Sequence, residues 1–246
     1  MIRGFLCGHT TANVIRVLFV SGALPRVCAA VLAGLLVFPA VAAPGDGHWD
    51  RQFGMAGTGT RNYALRFNGN LLYTAGYSLV RGQLGTNTVV NIFDGTNWSS
   101  IGEITGGTLV IYDFAFLGPD VYVGGVFTQA GEVPAVGLAK WDGSSWSGVG
   151  GFSGAVFDLT TDGSNLYVGG AFTNAGGILA TNIARWDGTN WSALGDGIGY
   201  YDNFLFPSVN AMVWHDGQLY VGGAFTNSGT TAVSNLARWE DRKSVV

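Results

Sequence analysis

Asp-Gly pairs punctuate the chain, among them those at 94–95, 142–143, 162–163, 187–188 and 216–217. Clustered carboxylates beside glycine can make a calcium loop, but such loops need dense alternating oxygen ligands. Here each aspartate stands alone between two apolar runs, which is the setting of a two-residue hairpin turn. We therefore expect turns and no metal site. His48 and His215 have no neighbour at metal-ligand spacing and read as surface or groove residues. Ser147 and Ser192 each follow a tryptophan in a strand-like run, and no G-x-S-x-G elbow occurs. The G-T-G at 57–59 does not join a strand to an apolar helix, so a dinucleotide site is not expected. Trp141/Trp146 and Trp186/Trp191, with Trp98, could be platforms for sugar rings, but recurrence once per repeat suits packing better. No catalytic residue, metal ligand or cofactor is expected.

One stretch breaks the repeat. GIGYYDNFLFPS, residues 197–208, places Tyr200, Tyr201, Phe204 and Phe206 within seven residues. Aromatic side chains give large contact area with little rotamer entropy to lose, which suits recognition. These four are the candidate partner contacts. The competing reading is a loop folded back over a groove.

The elements that must position this stretch are repeats. LYVGGAFTN at 166–174 returns unchanged at 219–227, VYVGGVFTQ stands at 121–129, and the looser LYTAGYSLV at 72–80. Tyr73, Tyr122, Tyr167 and Tyr220 are spaced by 49, 45 and 53 residues. In the third copy VFDLTTDG (156–163), LYVGGAFT (166–173), IARWDG (183–188) and WSALG (191–195) read as four strands joined by turns. Within the second strand Leu166, Val168 and Phe172 face one way and Tyr167, Ala171 and Thr173 the other. Both faces are apolar or small, as in a sheet held between two others. Gly169-Gly170 then marks where backbones crowd. A period near 45–50 residues with four strands per copy is the pattern of a propeller blade. The expected fold is all-β, a β-propeller of four-stranded antiparallel blades, as an incomplete ring of about four. The blades are expected at 60–107, 108–153, 154–205 and, truncated, 206–239. Because strands alternate direction, the loops 128–137, 173–182 and 226–235 should lie at the same end as the crossing 197–208.

The pattern LYVGG-x-FT-x-AGG followed by IARWDG-x-x-W-x-x-LG resembles the kelch-like or WD-like propeller repeats of exported bacterial proteins. It is also similar to repeats in the ectodomain of a fungal cortical polarity marker. The double glycine and following tryptophan match kelch order, while the kelch tyrosine between them is missing. The resemblance covers residues 49–239 and implies a fold rather than an activity. Propeller oxidases of the galactose-oxidase type need a Cys–Tyr crosslink, and sialidase-like propellers need an arginine cluster with Asp-boxes. Neither set is found here.

The chain has 246 residues, of which only 11% are charged and 40 are glycine. Arg3, Arg16 and Arg26 precede the apolar run 27–43, with Ala40-Val41-Ala42 as a small-residue cleavage site. Residues 1–42 therefore read as a secretory signal, with an uncleaved anchor as the alternative. Cys7 and Cys28 both fall in that leader, and PRVC at 25–28 is not a lipoprotein site. The remainder carries nine basic against sixteen acidic residues, a balance of −7 that argues against a nucleic-acid partner. No later run is long and apolar enough to span a membrane. Residues 43–59 form an N-terminal strand segment whose HWDRQFG (48–54) could complete the last blade if the ring closed. Residues 240–246 depart from the repeat, where Asp-Gly should follow NLARW, and read as a non-native tail; a genuine polar tail is the alternative.

Together these features point to an exported, extracellular, surface or periplasmic bacterial protein. It is expected to be a non-catalytic binding or structural module, with a protein or glycan partner and self-association through unclosed blade faces. The alternative is a fragment of an exported propeller enzyme on polysaccharide, with its catalytic residues outside this chain.

Overall fold

The computed structural model describes residues 61–80, 83–107, 110–199 and 207–240. The chain divides into two units, Met1–Met55 and Ala56–Val246, and every described residue belongs to the second. The leader, the 43–59 segment, the four aromatics of the crossing and residues 241–246 lie outside the described residues.

Short alternating apolar runs broken by Gly, Asn and Asp build strands, and among the described residues there is no helix. Arg61–Asn68, Leu71–Val80, Gln83–Phe93 and Trp98–Thr105 lie side by side in a first antiparallel sheet. Val110–Leu117, Asp120–Val126, Leu138–Trp141 and Trp146–Gly148 form the second. Ala155–Thr161, Leu166–Ala171, Ile183–Trp186 and Trp191–Ala193 form the third. Ser208–His215, Gln218–Ala224 and Leu236–Glu240 form a three-stranded fourth. Among the described residues no sheet closes on itself.

Between the second and third strands of the later sheets sits a small hairpin, and it reaches backwards. Ala130 pairs with Ile104, Ala175 with Phe152, and Ser228 with Ile198. Each hairpin thus hydrogen-bonds to the segment leaving the preceding sheet, and the sheets are laced in series.

The core follows the same order. One apolar cluster joins Tyr73 and Val90 of the first sheet to Phe114 and Val123 of the second. The next joins Tyr122 and Leu138 to Leu159, Leu166, Val168 and Phe172. The last joins Tyr167 and Ile183 to Met212 and Val221. Successive residues of one strand therefore serve different interfaces: Leu166 and Val168 face the second sheet, and Tyr167 faces the fourth.

The double glycine has two separate causes. A Cβ on Gly169 would lie 2.5 Å from Val209 Cγ1 of the next sheet, and one on Gly124 would lie 2.7 Å from Val156 Cγ1. A Cβ on Gly170 or Gly125 would instead strike a carbonyl of the neighbouring strand, Ala155 O at 2.0 Å or Val110 O at 2.1 Å. That second crowding arises at a bulge, where the first strand gains one residue opposite the pair: Tyr63, Tyr112, Phe157 and Asn210 in the four sheets.

The turns differ from the two-residue expectation at four of the five Asp-Gly pairs read as hairpin turns. Of these five, Asp216-Gly217 alone is a two-residue turn, between His215 and Gln218, with φ of 49° and 75°. At 94–97, 142–145, 162–165 and 187–190 the loop has four residues, since Phe93 pairs with Trp98, Trp141 with Trp146, Thr161 with Leu166 and Trp186 with Trp191. The aspartate itself stabilises the longer loop. Asp187 Oδ1 accepts the N–H groups of Thr189 at 2.8 Å and Asn190 at 2.6 Å, and Asp94, Asp142 and Asp162 do the same locally.

Candidate functional site

The bulge throws one side chain of each first strand out of the alternation, and in three sheets that side chain is aromatic. Tyr63 is 49% exposed and Tyr112 40%, and Tyr112 meets Phe157 edge to face at 5.1 Å. Burial, with the neighbouring Tyr63 second, pushes the Tyr112 phenol above its ordinary range. The three rings form a row across the first strands. The row was not singled out in the sequence, although an aromatic following another apolar residue in Ile111-Tyr112 and Val156-Phe157 breaks the period of two and signals it.

Beside the row the residue after the bulge is acidic in two sheets, and both carboxylates reach to the next sheet. Asp113 Oδ2 accepts the N–H of Leu159 at 3.0 Å, and Asp158 Oδ2 accepts that of Met212. Arg66 Nη2 donates to both oxygens of Asp113, at 3.0 and 2.9 Å. Burial pushes the Asp113 carboxyl up; Arg66 and the Leu159 and Phe114 N–H groups oppose this, and burial prevails. These oxygens are committed to backbone donors across an interface, so the carboxylates act as staples between sheets. An acid inside an apolar strand, away from any turn residue, is the signal that could have found them. Ala64 and Ala211 occupy the same position in the first and fourth sheets.

The tryptophans are staples as well. Trp146 Nε1 donates to Ile101 O of the first sheet at 2.8 Å, and Trp191 Nε1 to Val149 O, just past the last strand of the second sheet, at 3.1 Å. Trp191 also lies against Gly176, whose Cβ would fall 2.0 Å from its ring, and edge to face with Phe152 at 5.2 Å. A cleft of about 550 Å³ opens alongside, lined by Lys140, Ser147, Gly150, Trp186 and Trp191. Lys140 is paired there with Asp120 at 3.1 Å. Trp98, at the same position in the first sheet, has its Nε1 buried with no partner among the described residues.

The candidate contacts Tyr200, Tyr201, Phe204 and Phe206 lie outside the described residues, but the root of their crossing is described. Ile198 is buried; its N–H donates to Thr181 O at 3.0 Å, and its carbonyl accepts Asn182 Nδ2 at 2.8 Å. On the other side Thr226 N donates to Gly199 O at 3.0 Å and Gly229 N to Gly197 O at 2.9 Å. Two of the three loops named from sequence, 173–182 and 226–235, thus grip the root. The third, 128–137, bonds the first sheet instead, through Gln129 and Ala130. Asn182, with φ of 62°, can grip because its left-handed backbone turns the amide inward, where Oδ1 also accepts Phe172 N–H at 3.0 Å. His215 sits at the surface, 3.1 Å from Asp216. Among the described residues no three His, Cys, Asp or Glu side chains converge on a metal position.

These features define an all-β chain of antiparallel sheets laced in series. No family model matches it, and no curated protein matches it. Among solved structures it is similar to the computationally designed Ika4 protein, at 14% identity and a TM-score of 0.46, over 76% of this chain and 95% of that one. It is also similar to the computationally designed Ika8 protein, at 14% identity and a TM-score of 0.41, over 73% of this chain and 45% of that one.

Proposed function

We propose that the stacked sheets are blades of a β-propeller-type array, exported from the cell, which serves as a non-catalytic binding or structural module for a protein or glycan. The observation that carries this reading is the rooted crossing. Four hydrogen bonds hold Gly197, Ile198 and Gly199 between the loops 173–182 and 226–235. The aromatic stretch that follows therefore springs from a preorganised base, and preorganisation lowers the entropic cost of binding. Tyr200, Tyr201, Phe204 and Phe206 are the proposed anchors. The polar groups of the repeat have structural employment: aspartates cap turns, Asp113 and Asp158 tie sheets, and Trp146 and Trp191 bond across interfaces.

The test is to screen the chain against glycans and cell-surface proteins, then change all four aromatics to serine. Binding lost with an unchanged far-UV spectrum and an unchanged melting temperature supports the proposal. Unaltered affinity removes the site and returns the stretch to packing.

A further inference from the structure

We propose that the cleft between the second and third sheets is a carbohydrate subsite, which takes neutral pyranose rings of an oligosaccharide on Trp186 and Trp191. This rests on the binding-module reading only in taking a glycan as ligand, and its site is separate from the aromatic crossing.

The two indoles offer the cleft carbon surface. Their rings stand 5.2 Å apart, tilted by 42°. They line a space of about 550 Å³, inside the roughly 300–1,000 Å³ range of small-ligand sites. Trp191 Nε1 is bonded to Val149 O, and Trp186 Nε1 is buried. What these half-buried rings present to the cleft is therefore apolar. An aromatic face carries partial negative charge, and the C–H groups on one face of a pyranose complement it. Trp191 is also held still. A Cβ on Gly150 would lie 3.0 Å from its Nε1 and one on Gly176 2.0 Å from its Cδ1, so the two glycines seat the ring. A fixed platform loses little entropy when a ligand stacks on it.

Packing between sheets does not require the opening. Between the first and second sheets the same place is filled: Ile92, opposite Ser99, stands where Lys140 stands opposite Ser147, and packs on the apolar cluster. Trp146, the counterpart of Trp191, is buried there. One repeat later Trp191 is half-buried and a lysine borders the gap.

The rim supplies hydrogen bonds without net charge. In the third sheet Ser192 accepts from Arg185 Nε at 3.2 Å. At the equivalent pair in the second sheet Lys140 turns instead to Asp120 at 3.1 Å, which leaves the Ser147 hydroxyl to the cleft it lines. The hydrogen bond to Asp120 raises the Lys140 ammonium above the ordinary lysine range and balances its charge. Two of its three N–H groups remain to donate. Thr189 and Asn190 border the other side, on the loop that Asp187 holds. Aromatic carbon bordered by hydroxyl, amide and charge-balanced ammonium suits a ligand rich in hydroxyls, apolar on one face and uncharged. A pyranose has that surface.

The experiment titrates the full chain with cello-, malto-, manno- and xylohexaose, and with oligogalacturonate as the charged counterpart, by tryptophan fluorescence and calorimetry. A neutral hexasaccharide should bind. Trp186→Ala should weaken that binding about tenfold or more, as loss of an aromatic anchor does. Lys140→Met keeps the stem and removes the donors, and should weaken it about threefold to tenfold. Serine at Tyr200, Tyr201, Phe204 and Phe206 should leave it unchanged. The proposal is overturned if no neutral sugar binds, if oligogalacturonate alone binds, or if the cleft variants bind as the unaltered chain does. Sugar binding lost in the four-serine chain and kept in the cleft variants also overturns it, and assigns the glycan to the crossing. Should Trp186→Ala change the far-UV spectrum or the melting temperature, Ser147→Ala combined with Lys140→Met, both at half-buried positions, decides by the same loss.

Discussion

Gly169 and Gly222 occupy one repeat position with and without a neighbouring sheet, and replacing each by alanine measures what that neighbour contributes. At Gly169 the new Cβ would sit 2.5 Å from Val209 Cγ1 and 3.0 Å from both Sδ and Cε of Met212. Carbon atoms pack at roughly 3.5–4.0 Å, so the approach to Val209 is about 1 Å too close. The methionine can bend away. Val209 is β-branched, fully buried and stiff about χ1, and must move with its strand. Overpacking of this kind costs about 1–3 kcal/mol. Against it stands the gain of about 0.5–1 kcal/mol from removing a glycine inside a strand. At Gly222 only the gain operates, because the space is open. Gly169→Ala should therefore lower the urea midpoint, while Gly222→Ala should leave it unchanged or raise it. Measurement at low protein concentration keeps association out of the comparison. Equal effects at the two positions would refute the reasoning, for then the double glycine answers to its own sheet and not to the next.

Three further outcomes are expected. Trp98→Phe should cost less than Trp146→Phe, because Trp146 loses a bond to Ile101 O worth about 0.5–1.5 kcal/mol while Trp98 removes a buried donor without a partner; paired urea denaturation checks this. The backbone N–H groups of Asn97 and Thr96, of Ser145 and Ser144, and of Asn190 and Thr189 hold Asp94, Asp142 and Asp187 below the usual carboxylate range. The unfolded chain then binds protons more readily than the folded one, so this stability is complete above a pH of about 4 and falls away as the folded carboxyls protonate. Asp94→Asn, Asp142→Asn and Asp187→Asn together keep the oxygen acceptors and should flatten the acid limb of stability against pH; an unchanged limb would assign it to other groups. Protein recovered outside the producing cell should begin at Ala43 by mass spectrometry, and an intact leader there would restore the membrane-anchor reading.

Much of this architecture was legible in the residues. The repeated LYVGG phrase, with apolar side chains on both faces, requires a sheet covered on both sides, and the alternation of Leu166 and Val168 against Tyr167 is what the structure contains. Composition was enough for that, because a strand's two faces follow from a period of two. Local geometry was less legible. Asp-Gly is compatible with two- and four-residue turns, and the choice at 187–190 depends on Trp186 and Trp191 pairing across the loop. The bulge that exposes Tyr63 and Tyr112 depends on the register between strands, which no single strand carries.

What the sequence by itself determined is the repeating unit: its strands, its two apolar faces and its glycine pair. What only the tertiary structure decided is where those units have neighbours. Leu138, Ile183 and Leu236 are interchangeable as residues, yet two are covered and one is bare. Burial belongs to the contact between sheets and not to the side chain, so the same apolar residue is core at one copy and open surface at the next.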